Sequence, residues 1–262
     1  MNYNNIEFEK TDNSGIIWLN RPDVHNAMNA EMIGEIVDAF EKANDLDDIR
    51  YVILRGRGKS FCAGADLNYM KGIAKFGFEE NYQDGLRLAK CFSTIYTCKK
   101  PTIAIVHGAA IGGANGLLAA CDMVYCLDET KFAFAEVKLG IAPATISPYV
   151  CKRISEYGAR DLMITGRRFL GKEAESFGLV NKSFETEEAL EERMAFTAKM
   201  LMSSGPAAMG ATKELIYNLF NKYNFEDSID YSAKLIAELR ASEEGQEGMS
   251  SFLEKRKPNW NV

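Results

Sequence analysis

The sequence predicts an α/β fold that passes into a helical C-terminal region, and three observations predict it. The apolar, β-branched-rich runs YVILRG (Tyr51 to Gly56) and TIAIV (Thr102 to Val106) read as buried strands. Each leads into a glycine-containing stretch of small residues, SFCAGADL from Ser60 and HGAAIGGANGLLAACD from His107. Between them Leu86, Ala89, Phe92 and Ile95 recur at helical spacing, so strand, helix and strand alternate. Beyond Glu185 the patterns are helical only.

In chain order, Ile6 to Glu9 and Gly15 to Asn20 form two strands joined by a turn at Ser14-Gly15. The polar NRPDVHNAMN stretch, Asn20 to Asn29, is a loop, and Asn29 can cap a helix whose Ile33, Ile36, Val37 and Phe40 share one face. YVILRG and the charged GRGKS loop precede the first glycine turn; TIAIV breaks directly into the second, and an apolar helix runs from about Ala114 to Ala120. MVYC (Met123 to Cys126) and KFAFA (Lys131 to Ala135) are short extended runs, the latter ended by Glu136. Candidate helices cover Glu185 to Ser203, Pro206 to Phe220 and Glu226 to Arg240, with Pro206 suited to a first turn.

Composition narrows the function classes. A length of 262 residues with 47% apolar and 26% charged residues describes an ordinary globular protein with ample core. The net charge of −6 argues against a general nucleic-acid binder, which needs basic surface to displace counterions. The polar start MNYNNIEFEK lacks the pattern of a secretory leader, and no apolar run approaches the ~18 residues of a membrane span, so the cytoplasm is the expected compartment and no membrane partner is expected. Cys62, Cys91, Cys98, Cys121, Cys126 and Cys151 form no CxxC pair and have two histidines for company, so neither a metal site nor a disulfide framework is expected.

A tight glycine turn at a helix start exposes backbone N–H groups without internal acceptors, and the helix dipole makes that end positive, so it can hold an oxyanion. Gly112 and Gly113 are the donors this reading selects; the alternative is a strand–helix crossing too close for any side chain. The SFCAGADL turn offers a second amide to face the first. Glu136 is the candidate acid–base group, although a lone glutamate at a strand end is usually a solvated residue. His107 and His25 read as packed or loop residues, and Asp66 and Asp122 as braces for backbone N–H groups.

Taken together, SFCAGADL, HGAAIGGANGLLAACD and FAFAEVKLGIAPA (Phe132 to Ala144) resemble the enoyl-CoA hydratase/isomerase (crotonase) superfamily, and the likeness runs from NRPDVHNAMN to FLEKRKPNW. The resemblance implies a crotonase-like spiral of ββα repeats over residues 1–200 and a helical oligomerisation region over 201–262, forming homotrimers or dimers of trimers. It implies Ala65 and Gly113 as the oxyanion pair and Glu136 as the acid–base group. Ala63, Asp66, Leu67, Ile111, Gly112, Gly116 and Ile141 would contact the acyl-CoA thioester, and Asn26, Ala27 and Met28 would lie against the adenosine or pantetheine of coenzyme A. No cofactor is implied beyond the coenzyme A that the substrate carries; Arg21, Lys59, Lys255, Arg256 and Lys257 are available for its phosphates.

The segment GIAPATISPYV (Gly140 to Val150) looks closest to bacterial hydratases of methylglutaconyl-CoA and related branched esters. The chain departs from the best-known hydratases at Gly116, which stands where they carry a second glutamate. With that carboxylate absent, Glu136 is expected to handle both proton steps, with Thr145 and Ser147 as candidates to orient the water. Gly116 is expected to leave an apolar void that admits a substituent at C3. Competing readings are a double-bond isomerase, disfavoured because Ala144 follows Pro143 where that branch often has a glutamate, and a non-catalytic acyl-CoA-binding protein.

Overall fold

The computed structural model describes residues 2–261. The chain divides into two compact units, one running to Cys98 and from Thr102 to Glu192, the other made of Lys99–Pro101 and the chain from Arg193 onward.

The first unit is a spiral, and the pattern of apolar residues explains each turn of it. A six-stranded sheet holds β1 (Ile6–Lys10), β2 (Ser14–Leu19), β3 (Tyr51–Gly56), β4 (Thr102–Val106), β6 (Met123–Leu127) and β9 (Lys182–Phe184), in that order across the sheet. Only the β1–β2 pair is antiparallel. All five residues of β4 are buried, as a central parallel strand covered on both faces requires. A second sheet of three strands, β5 (Ala109–Ile111), β7 (Lys131–Ala133) and β8 (Arg168–Phe169), takes the chain as it leaves the larger one. Thus β4 passes to β5 and returns through α4 (Ala114–Ala120) to β6, which passes to β7.

The two earlier turns do the same with single bridges in place of strands. After β2 the chain reaches Met28, which bridges to Ala65, and after β3 it reaches Cys62, which bridges to Ala110 on β5. Met28, Ala65, the β5 stretch and β7 therefore form one continuous edge that crosses four successive turns. The returning helices α1 (Ala30–Asp45), α2 (Leu67–Ile73), α3 (Phe78–Tyr96) and α4 follow it, with α3 packed between α1 and α4.

α1 begins where the sequence predicts. The Asn29 side chain accepts from the Met32 N–H, and Ile33, Ile36 and Phe40 are buried. Asn29→Ala is expected to cost about 1 kcal/mol of unfolding free energy, the usual worth of such a cap, measured by urea denaturation.

Two expectations are corrected. The glycine stretch does not pass straight from strand to helix: Ala109–Ile111 is a strand of its own, too short and small-sided to show a period. The KFAFA strand ends at Ala133, because the chain turns into a 3-10 helix, Ala135–Leu139, closed by Gly140 in the left-handed conformation at φ 75°. In the remainder of this unit α5 (Ser147–Arg153) packs on α4, α6 (Glu156–Thr165) on the 3-10 helix, and α7 (Gly171–Ser176) on β7 and on β9, to which it returns the chain.

Helix α8 (Glu187–Ser203) carries the boundary between the units. In the second unit α9 (Pro206–Asn221), α10 (Phe225–Ala241) and α11 (Glu243–Leu253) pack on one another. Pro206 opens α9 as expected, and the Glu244 carboxylate accepts from the free amides of Ala207 and Ala208 in its first turn. No helix among the described residues is long and apolar enough to cross a membrane.

Candidate active site

The backbone edge described above places two amides without acceptors beside one carboxyl group. Met28 N–H donates to Gly64 O at 2.7 Å and Asp66 N–H to Met28 O at 2.9 Å. In a strand-like bridge alternate groups point to opposite sides, so the Ala65 N–H between them points away from Met28. It donates to no acceptor among the described residues, and Ala65 is exposed. Gly64, at φ 98°, lets this segment approach β5: a Cβ there would sit 2.9 Å from Ile111 O.

The second amide arises at the end of β5. Gly112 adopts φ 55° and its N–H donates to Ala133 O at 2.8 Å, while the first α4 bonds run from Asn115 and Gly116 back to the carbonyls of Gly112 and Gly113. The Gly113 N–H is left without an acceptor among the described residues, as the first amides of a helix are. Met28 ties the two donors together. It bridges to Ala65, and its Cε lies 3.0 Å from where a Cβ of Gly113 would be.

Glu136 faces the same turn. Its Oε1 lies 3.4 Å from the position of a Cβ on Gly112, a contact distance, while the φ of 55° is what favours glycine there. Its Oε2 is buried without a hydrogen-bond partner among the described residues. Burial pushes the Glu136 carboxyl above its ordinary value, offset in part by its own backbone N–H. A buried carboxyl with a raised pKa beside two unused amides can move protons while an oxygen of the reactant takes up negative charge.

The remaining expected residues fall into three groups. Ala63, Ile111 and Gly112 are half-buried on the backbone edge itself, and Leu67 and Ile141 expose apolar side chains next to it, the Ile141 N–H donating to Glu136 O. Asn26, Ala27 and Met28 are buried. The Asn26 carboxamide is spent inside the loop, accepting from Arg21 N–H and donating to the carbonyls of Arg57 and Ser60, so this segment presents backbone rather than side chains. Asp66 is the N-cap of α2, accepting from Asn68 and Tyr69 N–H groups. Arg21 pairs with Asp66 at 3.0 Å and donates to Ala27 O, which makes it a brace of the Ala65 loop. Asp122 braces Thr102, and His107 bonds Gly58 O at 2.9 Å, both in structural roles as expected. The Ser147 hydroxyl donates to Pro143 O.

Gly116 requires a correction. The space its missing side chain leaves is filled: a Cβ would come within 2.5 Å of Phe92 Cζ and 2.6 Å of Ile146 Cγ2, both side chains buried. No void is present for a C3 substituent. The residue that sequence reasoning missed is Asn115, whose side chain reaches the carbonyls around the turn. Its signal was a lone carboxamide in an otherwise apolar helix.

Two free amides and one part-buried carboxyl group are the groups that chemistry through an enolate with proton transfer calls for. The family model described as enoyl-CoA hydratase/isomerase matches residues 9–262. A crotonyl-CoA hydratase of Syntrophomonas wolfei is 34% identical, with 99% of each chain covered. A peroxisomal Delta(3,5)-Delta(2,4)-dienoyl-CoA isomerase of Arabidopsis thaliana is 31% identical over 96% of this chain and 94% of its own. The crystal structure of an enoyl-CoA hydratase from Shewanella pealeana superposes with a TM-score of 0.93 at 35% identity, covering 98% of this chain and 96% of that one. The chain belongs to the enoyl-CoA hydratase/isomerase family, with the crotonase fold, and is an enzyme of its hydro-lyase kind.

Proposed function

We propose that this enzyme adds water across the 2,3 double bond of an enoyl-CoA thioester using Glu136 as the one carboxyl group at the reacting carbons, and that its preferred acyl group is branched or carboxylated at C3, of the 3-methylglutaconyl kind. The observation that carries the mechanism is the Glu136 carboxyl, its Oε2 buried without a partner among the described residues, beside Gly112 and the free amides of Ala65 and Gly113. The thioester oxygen accepts from both amides. Ionised Glu136 takes a proton from water as the water oxygen bonds to C3, and the π electrons move through C2 onto the thioester oxygen as an enolate. The same carboxyl then returns the proton to C2, so one water is consumed and Glu136 is regenerated. Each oxyanion donor contributes about 10²–10³ in rate. No cofactor takes part in this scheme beyond the coenzyme A of the substrate.

Because Glu136 must start ionised and burial raises its pKa, kcat/KM is expected to fall on the acid side with a midpoint above the usual glutamate range. A pH–rate profile whose acid limb sits at the ordinary glutamate value contradicts this assignment.

The branched substrate is supported by the likeness of GIAPATISPYV and by the apolar Leu67 and Ile141 beside the edge, and no longer by Gly116, whose space is filled. The test is kcat/KM for 3-methylglutaconyl-CoA and crotonyl-CoA. A preference of roughly 10- to 200-fold for the branched ester is expected, the worth of one or two carbon contacts in an apolar pocket. A tenfold preference for crotonyl-CoA refutes the substrate while leaving hydration intact. The dienoyl-CoA isomerase relative favours a second reading, since a double-bond shift needs the same enolate and one base. Conversion of a 3-enoyl to a 2-enoyl ester without hydration would establish it.

The assembly we propose is a homotrimer or a dimer of trimers. Phe220, Phe225 and Phe252 in the helical unit are 75%, 83% and 81% exposed, more apolar surface than a lone chain usually leaves in water. Light scattering that returns a monomer mass contradicts it.

A further inference from the structure

Helix α4 is buried throughout and carries one polar side chain, Asn115. Its Nδ2 lies 3.3 Å from Ala110 O, 3.1 Å from Gly112 O and 3.0 Å from Ala133 O. These carbonyls belong to β5, to the turn that ends at Gly113, and to the last residue of β7, from which the chain turns towards Glu136. Ala133 O also accepts the Gly112 N–H at 2.8 Å, so both segments close on one oxygen. The other end of the carboxamide, Oδ1, is buried with no partner among the described residues. A buried acceptor left unpaired is a cost that an apolar side chain would not carry, and it offsets part of what the Nδ2 bonds contribute to stability.

We propose that Asn115 is a positioning residue of the reaction: its carboxamide fixes the Gly113 N–H relative to the Glu136 carboxyl by clamping the two segments that bear them. Asn115 touches neither substrate nor water in this role. The inference rests on Gly113 and Glu136 acting as described above. A clamp of this kind acts on the geometry of the transition state, where a displacement of about 1 Å costs up to about 10²-fold in rate. It acts little on the affinity for the coenzyme A portion.

The test uses Asn115→Leu, which keeps the branching at Cγ without the polar atoms, and Asn115→Ser, which keeps one donor. The readouts are kcat and KM on the best hydration substrate, thermal melting, and the absorbance of a bound cinnamoyl thioester of coenzyme A, whose band moves to longer wavelength when its carbonyl is polarised. Asn115→Leu is expected to lower kcat by about 10- to 100-fold while KM stays within about threefold, and to reduce the wavelength shift; Asn115→Ser should fall between it and the unmodified enzyme. A folded Asn115→Leu variant with full turnover and full shift overturns the proposal. So does a loss confined to KM, or the failure of both variants to fold, each of which makes Asn115 a binding or folding residue instead. Absence of the shift in the unmodified enzyme is a different result, because it removes the oxyanion pair itself.

Discussion

Glu136→Gln is expected to lower hydration turnover by at least about 10²-fold, the scale of a positioned acid–base group, while binding of coenzyme A esters persists. Glutamine keeps the size of the side chain that rests against Gly112 but can neither take a proton from water nor return one to C2. The same variant carries a prediction for stability. Burial raises the Glu136 pKa in the fold above its value in the unfolded chain, so between the two values the native state holds more protons. Stability from this site is therefore lost as pH rises from the ordinary glutamate range, and the ionised carboxylate is a burden at neutral pH. Glu136→Gln is expected to melt at a higher temperature than the unmodified protein near pH 8, with the advantage shrinking towards pH 4. Near-normal turnover in this variant removes Glu136 as the acid–base group; a melting difference that grows towards acid pH removes its burial as the cause of the raised pKa.

Gly116→Glu is expected to fail as a gain of function. A Cβ at this position already comes within 2.5 Å of Phe92 Cζ and 2.6 Å of Ile146 Cγ2, and both side chains are buried, so one of them must shift. The smaller change Gly116→Ala should cost about 1–3 kcal/mol by overpacking, a drop of roughly 3–10 °C in Tm. Glutamate adds a buried charge without a partner and should prevent folding or lower Tm much further. Pairing Gly116→Ala with Phe92→Leu relieves the clash, so the two changes together should cost less than their sum. A Gly116→Glu protein that folds normally and hydrates crotonyl-CoA faster would show that the space stands open. In the structure as it is, the Phe92 ring and Ile146 fill the space beside Gly116, which leaves Glu136 as the carboxyl group of the proposed proton steps.

What was legible in the sequence was local. YVILRG and TIAIV carry their burial in composition, and Asn29 announces α1 because a side chain that caps the next turn needs no tertiary partner. Glu136 and the two glycine turns were legible through family likeness, since nothing local shows that a carboxyl group lies against Gly112 with one oxygen unpaired. The β5 strand was hidden because its three residues look like a turn and become a strand by pairing with β7. At Gly116 the inference ran the wrong way for a physical reason. A glycine says that its own side chain is absent, and only the fold says whether a neighbour from α3 has moved into the space. Asn26 shows the same limit from the other side, a polar residue in a loop whose hydrogen bonds all turn inward.

The most direct test of a single carboxyl group serving both proton steps is the stereochemistry of hydration in D2O. One group on one face of the double bond activates the water that attacks C3 and then delivers the proton to C2, so hydroxyl and deuteron must arrive on the same face. The hydrated product of the best substrate, resolved by proton NMR coupling between C2 and C3 or by its diastereomeric C2 signals, is predicted to be the syn adduct with one deuteron at C2. An anti adduct would require a second group on the opposite face and would contradict the account.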